Sequence, residues 1–217
     1  MPVKVGLKYI EIWKDLLETR ICAYEQEQQQ PGQIVFYGPS YFTRWGTEFG
    51  MIPMREVLLG ASGAQCVVNR GFGSSCSEHQ LYYYPRMIRP LAPKVLVYSS
   101  YGNGSAFGYT PEEIWELAQR VVAYAQTDFP GIRIYVCGCQ HHKKDKPENM
   151  EVYRRYDSWL QEYAEQTPDC HFVNVLDYEP LWQDDIFVPD NVHYNQKGYQ
   201  LYGEFFKEVL RDELAQY

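Results

Sequence analysis

Short apolar stretches alternate along the chain with segments whose apolar residues recur at helical spacing. The apolar stretches at 34–37, 64–69, 95–98, 132–136 and 171–175 predict five buried strands. The helical segments lie before, between and after them, at 9–24, 77–88, 111–125, 150–165 and beyond Asn195. This alternation indicates βαβ units, which place parallel strands in one sheet and helices on its faces.

Local signals mark several element boundaries. Thr110-Pro111-Glu112-Glu113 combines a capping box with proline at the first helical position, so a helix is predicted from Pro111. Glycine and proline mark the ends of elements. Pro31-Gly32 ends the leading helical segment, and Gly38-Pro39 ends the first strand. We therefore predict a flavodoxin-like three-layer α/β/α sandwich with a mostly parallel five-stranded sheet. It forms a single domain over 1–217, with a leading helix in 1–32 and the core in 33–217.

Length and composition agree with this architecture. At 217 residues the chain can bury a large core without disulfides or metals, and 45% of its residues are hydrophobic. The formal net charge of -8 argues against nucleic acid or an anionic membrane surface as partners. We expect a small-molecule or carbohydrate ligand instead, and the sequence leaves the oligomeric state open.

The six cysteines are spread over a chain too long to need a disulfide scaffold, so reduced thiols are expected. The first residues lack the charged-then-apolar pattern of a secretory signal, and no apolar run is long enough to cross a bilayer. Both observations favour a cytoplasmic location.

Ser40 is the first candidate for chemistry. It follows Gly38-Pro39 at the carboxyl end of the first predicted strand, which is the edge where open α/β sheets bind ligands. A hydroxyl at that edge is a candidate nucleophile. The loops after the second and third strands, 70–75 and 99–104, reach the same edge if the strands are parallel.

Later in the chain, Asp190 and His193 supply the other groups that a serine nucleophile requires. They share one loop before the terminal helix, with two residues between them. The carboxylate can orient the imidazole while the imidazole accepts the serine proton. Oxyanion donors are expected from the backbone N–H of Ser40, from the glycine loop at Gly73 and Ser74, and from the side chain of Asn103.

Four blocks in this order resemble the SGNH hydrolase superfamily, the GDSL esterases and lipases. They are Gly38-Pro39-Ser40, residues 69–74, Tyr101-Gly102-Asn103-Gly104 and residues 190–193. The resemblance covers residues 34 to the end and implies a flavodoxin-like sheet and a serine esterase mechanism. It implies Ser40 as nucleophile, His193 as base, Asp190 as its orienting carboxylate and Asn103 as an oxyanion donor, with no metal or organic cofactor.

The blocks depart from the family pattern at four positions. Pro39 replaces the aspartate of the first block, and Ser74 replaces the second glycine of the second block. In the third block Tyr101 and Gly104 stand where the family has glycine and aspartate. We expect Tyr101 to narrow the substrate pocket and Asn103 to be held less firmly.

Other motifs have simpler interpretations. Asn103-Gly104-Ser105 matches a glycosylation sequon, a common accidental pattern that conflicts with a catalytic Asn103. Cys137-Gly138-Cys139 with His141 and His142 could suggest a metal site, but a strand end is favoured because no second ligand cluster follows. Residues 143–146 are interpreted as a solvated loop rather than a phosphate site.

Dinucleotide and α/β-hydrolase motifs are both incomplete. The glycine loop lacks the third glycine of the dinucleotide fingerprint, and the segment after Gly38 lacks the second glycine of a G-x-S-x-G elbow.

Two functional hypotheses follow. The first is a serine esterase acting on short-chain carboxylic esters, including acetyl esters of carbohydrates, through an acyl-serine intermediate. The second, motivated by Pro39, Tyr101 and Gly104, is a catalytically impaired domain of the same fold that binds a carbohydrate or a protein.

Overall fold

Five parallel strands form one sheet in the computed structural model, which describes Lys8 and residues 10–217. The strands are β1 (Ile34–Gly38), β2 (Val67–Gly71), β3 (Val95–Ser99), β4 (Arg133–Cys137) and β5 (Cys170–Val173). Their spatial order is β2-β1-β3-β4-β5, and every neighbouring pair is parallel. This is the flavodoxin-like strand order, so the predicted sheet is confirmed and the dinucleotide-fold order is excluded.

Helices cover both faces of the sheet. They are α1 (Lys14–Glu25), α2 (Ser40–Thr43), α3 (Met54–Val57), α4 (Ser77–Met87), α5 (Asn103–Ala106), α6 (Pro111–Asp128), α7 (Pro147–Gln166), α8 (Gln196–Val209) and α9 (Arg211–Leu214). Short 3-10 turns occur at Thr47–Phe49, Arg89–Leu91, Glu179–Trp182 and Asp184–Ile186. None of the helices in the described part of the chain has the length and apolar character needed to cross a membrane.

The core lies in two layers, one on each side of the sheet. All five residues of β1 are buried, as expected for a central parallel strand covered on both faces. Val35 and Tyr37 belong to the layer formed with α1, α4, α6 and α7, whereas Ile34 and Phe36 belong to the layer formed with α2, α3, α8 and α9. Because strand side chains alternate, one strand supplies both layers.

Helix starts follow the capping signals of the sequence. The Thr110 hydroxyl accepts a hydrogen bond from the Glu113 N–H at 3.2 Å, and the Glu113 carboxylate accepts one from the Thr110 N–H at 3.0 Å. The capping box predicted for α6 is therefore confirmed. At α8 the Asn195 side chain accepts from the Gly198 N–H at 3.1 Å, which fixes the end of the loop that precedes the helix.

The leading helix is shorter than the apolar pattern predicts. Trp13 has a φ of 62°, a left-handed conformation that a helix cannot continue through, so α1 begins at Lys14. Tyr9, the first residue of the predicted face, lies outside the described residues. Leu17 and Ile21 are buried, but Trp13 and Leu16 are exposed.

The second strand lies further along the chain than predicted. Ile34 pairs with Val67 and Gly38 pairs with Gly71, so β2 spans Val67–Gly71 rather than 64–69. Gln65 instead forms an antiparallel bridge with Leu59, because the chain is still approaching the sheet there.

Candidate active site

Ser40 lies at the carboxyl edge of β1 because α2 begins two residues after the strand ends. The helix packs directly on the end of β2. A Cβ on Gly71 would lie 2.3 Å from the Thr43 backbone nitrogen and 2.7 Å from the Phe42 carbonyl carbon. Only glycine allows this approach, and the approach holds Ser40 at the sheet edge. As the first residue of α2, Ser40 has an N–H without an intrahelical acceptor.

A chain of hydrogen bonds leads from Ser40 to a carboxylate. The Ser40 Oγ lies 2.7 Å from the His193 Nε2, and the His193 Nδ1 lies 2.8 Å from the Asp190 Oδ2. With the Nδ1 proton held by the carboxylate, the Nε2 lone pair faces the serine hydroxyl. The structure thus brings together three residues that the sequence predicted to meet.

The loop between β5 and α8 gives Asp190 and His193 their geometry. Asn191 has a φ of 58°, a left-handed conformation that asparagine tolerates better than most residues. The resulting turn lets the Asp190 Oδ1 accept from the N–H groups of Val192 and His193, both at 2.9 Å. The Val188 N–H donates to the His193 carbonyl at 2.9 Å and closes the loop. With two residues between Asp190 and His193, the chain can form this turn and also bring the carboxylate to the imidazole.

The protonation states of this pair suit general base chemistry. Burial would raise the pKa of Asp190, but the N–H groups of His193 and Val192 and the imidazole outweigh it, and the pKa lies well below its ordinary value. Burial lowers the pKa of His193, and the opposing effect of Asp190 does not fully compensate. At neutral pH the pair consists of a carboxylate and a neutral imidazole, the form that can accept a proton.

Backbone N–H groups collect beside Ser40. Gly73 is a neighbour of the serine, since a Cβ there would lie in van der Waals contact with the Ser40 Cβ, at 3.7 Å. Within the described chain, the N–H groups of Ser40, Gly73 and Ser74 donate no intramolecular hydrogen bond. Asn103, the first residue of α5, lines the same cavity and donates from Nδ2 to the Ser75 carbonyl at 2.8 Å, which leaves its second N–H. The predicted oxyanion donors therefore surround one space.

The structure shows the surroundings of three of the departures from the family blocks. A Cβ on Gly104 would lie 2.7 Å from the Ile114 side chain, so the aspartate expected there has no room. The Asn103 Nδ2 donates to the Ser75 carbonyl, and this hydrogen bond orients the side chain. Pro39 packs near Gly102, whose φ of 123° requires glycine. Ser74 adopts a φ of 65°, the left-handed region that glycine favours.

Two residues near Ser40, Tyr41 and Arg44, contact the Asp190–His193 loop although the sequence did not indicate it. The Arg44 guanidinium lies 3.1 Å from the Asp190 Oδ2, the same oxygen that faces His193. The Tyr41 hydroxyl donates to the Val192 carbonyl, and the Tyr199 hydroxyl donates to the Tyr41 carbonyl at 2.9 Å. These contacts fasten the Asp190–His193 loop to α2. The one available signal was that α2 and this loop both lie at the sheet edge, which does not specify partners.

The cavity above Ser40 has a volume of about 690 Å³. Its floor carries Ser40, Gly73, Asn103 and His193. Tyr101 lines it, with its ring centroid 4.7 Å from that of Tyr156. Its walls include residues of α1, the Thr47–Phe49 turn, the segment after β4 and the start of α7.

The remaining motifs do not form separate sites. Cys137 and Cys139 are buried, and the His141 ring stacks on Trp182 with centroids 4.2 Å apart. The residues that the structure describes include no group of three or more His, Cys, Asp or Glu side chains able to hold a metal ion. All six cysteines are free thiols.

Comparison with known proteins gives a family match and several similar structures. The model of the GDSL-like Lipase/Acylhydrolase family matches residues 36–201. No curated protein sequence matches the chain.

The similar structures share little sequence identity with the chain but cover most of it. A protein from Streptococcus pneumonia has 18% identity, covers 94% of this chain and 96% of its own, and has a TM-score of 0.71. A GDSL-like lipase from Bacteroides thetaiotaomicron has 16% identity, with 90% and 97% covered and a TM-score of 0.67. An acetyl-xylooligosaccharide esterase mutant from Geobacillus Stearmophilus has 13% identity, with 83% and 94% covered and a TM-score of 0.66. At these identities the likeness establishes the fold.

Proposed function

Because the chain belongs to the GDSL-like lipase/acylhydrolase family of hydrolases, we propose that it is a serine esterase that cleaves short-chain carboxylic esters through an acyl-serine intermediate. The observation that carries the proposal is the 2.7 Å contact between the Ser40 Oγ and the His193 Nε2 on the floor of a cavity. A nucleophile, a base and an orienting carboxylate in hydrogen-bond contact are the arrangement that ester hydrolysis requires.

In the proposed reaction the Ser40 Oγ attacks the ester carbonyl carbon while His193 takes the hydroxyl proton at Nε2. Asp190 stabilises the imidazolium that forms. The oxyanion accepts hydrogen bonds from the N–H groups of Ser40 and Gly73 and from the Asn103 amide, with Ser74 as a further donor. His193 then protonates the leaving alcohol, and the acyl group stays on Ser40.

The second half of the reaction returns the enzyme to its starting state. His193 takes a proton from water, the resulting oxygen attacks the acyl-serine carbonyl, and the bond to Ser40 Oγ breaks. Ser40 recovers its proton from His193, and the carboxylic acid leaves. Every proton passes through the one imidazole nitrogen that faces the serine.

Acetyl esters of carbohydrates are the proposed substrate class. Tyr101 occupies the cavity wall beside Asn103 where the family has glycine, which supports a short acyl group. The cavity also carries polar side chains, including Gln140, Asn149 and Tyr153, which suit a hydroxyl-rich alcohol. The acetyl-xylooligosaccharide esterase among the similar structures supports the same class by analogy of fold.

A fluorophosphonate probe tests the nucleophile. We expect labelling of the native protein and its loss in Ser40→Ala, since phosphonylation requires the activated serine. Ser105→Ala is the matched control, because Ser105 also lines the cavity but its hydroxyl donates to the Gly102 carbonyl at 3.3 Å. Labelling that persists in Ser40→Ala, or that Ser105→Ala abolishes, would refute the assignment.

A series of 4-nitrophenyl esters from acetyl to octanoyl, with acetylated oligosaccharides, tests the substrate class. We expect kcat/KM to fall by at least about tenfold from acetyl to octanoyl, on the order of the discrimination that a pocket achieves by size. A flat profile, or a preference for octanoyl, would contradict the short-chain proposal.

A further inference from the structure

Two lysines on the wall of the cavity have no neutralising partner among the residues that the structure describes. Among those same residues, four basic ones line the cavity, against the two acidic residues Glu48 and Asp145: they are Arg20, Arg44, Lys144 and Lys146. The whole chain has a formal net charge of -8, so the cavity differs from the protein in the sign of its charge. Such a difference attracts ligands of the opposite charge.

The arginines are already neutralised by partners. Arg20 lies 2.7 Å from the Glu48 carboxylate, and Arg44 lies 3.1 Å from that of Asp190. Both guanidinium charges are therefore neutralised by carboxylates of the protein itself. By contrast, the ammonium groups of Lys144 and Lys146 form no ion pair and no hydrogen bond with any residue in the described part of the chain.

Asp145 lies between these lysines in sequence but turns away from them. Its side chain is 6% exposed and accepts hydrogen bonds from the His142 N–H at 2.7 Å and from the Tyr153 hydroxyl at 3.1 Å. The carboxylate thereby anchors the loop from within. Lys144 and Lys146 remain exposed on the cavity wall.

We propose that Lys144 and Lys146 bind an anionic group, a carboxylate or a phosphate, on the alcohol part of the ester substrate. The inference rests on the proposed function, because a short neutral acyl group leaves only the alcohol part to carry the charge. The substrate class is then an acetylated acidic sugar or an acetylated sugar phosphate. Lys144 and Lys146, which lie in the segment 143–146 that the sequence suggested was only a solvated loop, thus become specificity residues of the site.

Binding to the Ser40→Ala protein tests the inference without requiring turnover. Calorimetry would compare a mono-O-acetyl hexuronic acid, its neutral methyl ester and a mono-O-acetyl hexose 6-phosphate. We expect at least one anionic ester to bind about fivefold more tightly than the methyl ester, the size expected from two exposed ion pairs. The tighter of the two anions identifies a carboxylate or a phosphate as the bound group.

Variants then assign the effect to the lysines. Lys144→Met with Lys146→Met should reduce the ratio of affinities to about one, whereas Lys143→Met should leave it unchanged. Lys143 is the matched control because it lies outside the cavity and donates to the Asp184 carbonyl at 3.2 Å. Equal affinities for the charged and neutral esters, or a preference that survives the double substitution, would overturn the inference. Failure of the esterase proposal would appear separately, as absence of Ser40-dependent hydrolysis in the native protein.

Discussion

Arg44 and His193 contact the same carboxylate oxygen of Asp190, at 3.1 and 2.8 Å. The positive charge of Arg44 lowers the pKa of His193 further than burial alone, because it disfavours a second cation nearby. Arg44 also lies over the Phe49 ring, with 5.5 Å between the guanidinium carbon and the ring centroid. It therefore acts on the base through Asp190 and through the local field, as a positioning residue.

Replacing Arg44 by glutamine should shift the pH profile of kcat/KM. Without the guanidinium charge the pKa of His193 rises, so a higher pH is needed to obtain the neutral imidazole, and the rising limb moves to higher pH. Arg44→Lys keeps the charge and should leave the limb near its native position. Profiles on 4-nitrophenyl acetate measure both variants. A limb that stays in place in Arg44→Gln, or moves to lower pH, would contradict this role.

At the residue level the sequence could predict those groups whose chemistry is encoded by spacing. Ser40 is marked by the strand end before it, and Asp190 and His193 by a spacing that closes one turn. Arg44 and Tyr41 could not be found in this way, because their partners lie more than a hundred residues away and depend on how α2 meets the last loop. Likewise, the need for glycine at position 104 is explained only by the contact with Ile114, which the sequence does not show.

Among the elements, the contact between α2 and the end of β2 controls the site most directly. Gly71→Ala would insert a Cβ against the backbone of Thr43 and Phe42, which cannot rotate away. We expect a loss of about 2–3 kcal/mol in the free energy of unfolding, measured in urea, because overpacking must displace the helix. Labelling of Ser40 should also slow, since the helix carries the serine.

Gly46→Ala is the matched control for this substitution. Gly46 lies three residues after the end of α2 and has an extended φ of -168°, and a Cβ there would meet no atom of the described residues within 4 Å. Its replacement should change the free energy of unfolding by less than about 0.5 kcal/mol. A Gly71→Ala protein as stable as Gly46→Ala would mean that α2 can shift at little cost.

Element boundaries were predictable where local chemistry fixes them. The capping box at Thr110 fixed α6, and apolar runs located β1 and β3 within a residue. The start of α1 and the position of β2 were not predictable, because the first depends on the left-handed Trp13 and the second on pairing with β1. Periodicity describes which face is apolar, but register and backbone reversals arise from tertiary contacts.

On the scale of the whole molecule, Asp157 couples stability to pH. This residue of α7 is 7% exposed, accepts from the Cys139 N–H at 2.8 Å, and has no partner for Oδ2 within the described chain. Burial raises the pKa of Asp157 to about 6. The folded protein therefore binds a proton more tightly than the unfolded chain, and ionisation above pH 6 opposes folding.

Asp157→Asn should remove this part of the pH dependence. From pH 5 to pH 7 the free energy of unfolding of the native protein should fall by about 1 kcal/mol, because the buried carboxylate becomes charged. The free energy of unfolding of the variant should not show this fall. Urea unfolding at both pH values measures the difference. Asp185→Asn is the control, because hydrogen bonding from Lys197 holds the pKa of that carboxyl below its ordinary value and outside the window. An identical pH dependence in native and Asp157→Asn proteins would contradict the prediction.

The contact between Ser40 and His193 joins residues 153 positions apart in the chain. Closing so long a loop costs conformational entropy. The docking of α8 and the hydrogen bonds of Tyr199 and Tyr41, which connect the last loop to α2, offset this cost. The reactivity of Ser40 therefore reports how far refolding has progressed. A fluorophosphonate pulse applied during refolding marks only those molecules whose final long-range contacts have formed, so it separates molecules with a finished sheet edge from those that have merely collapsed.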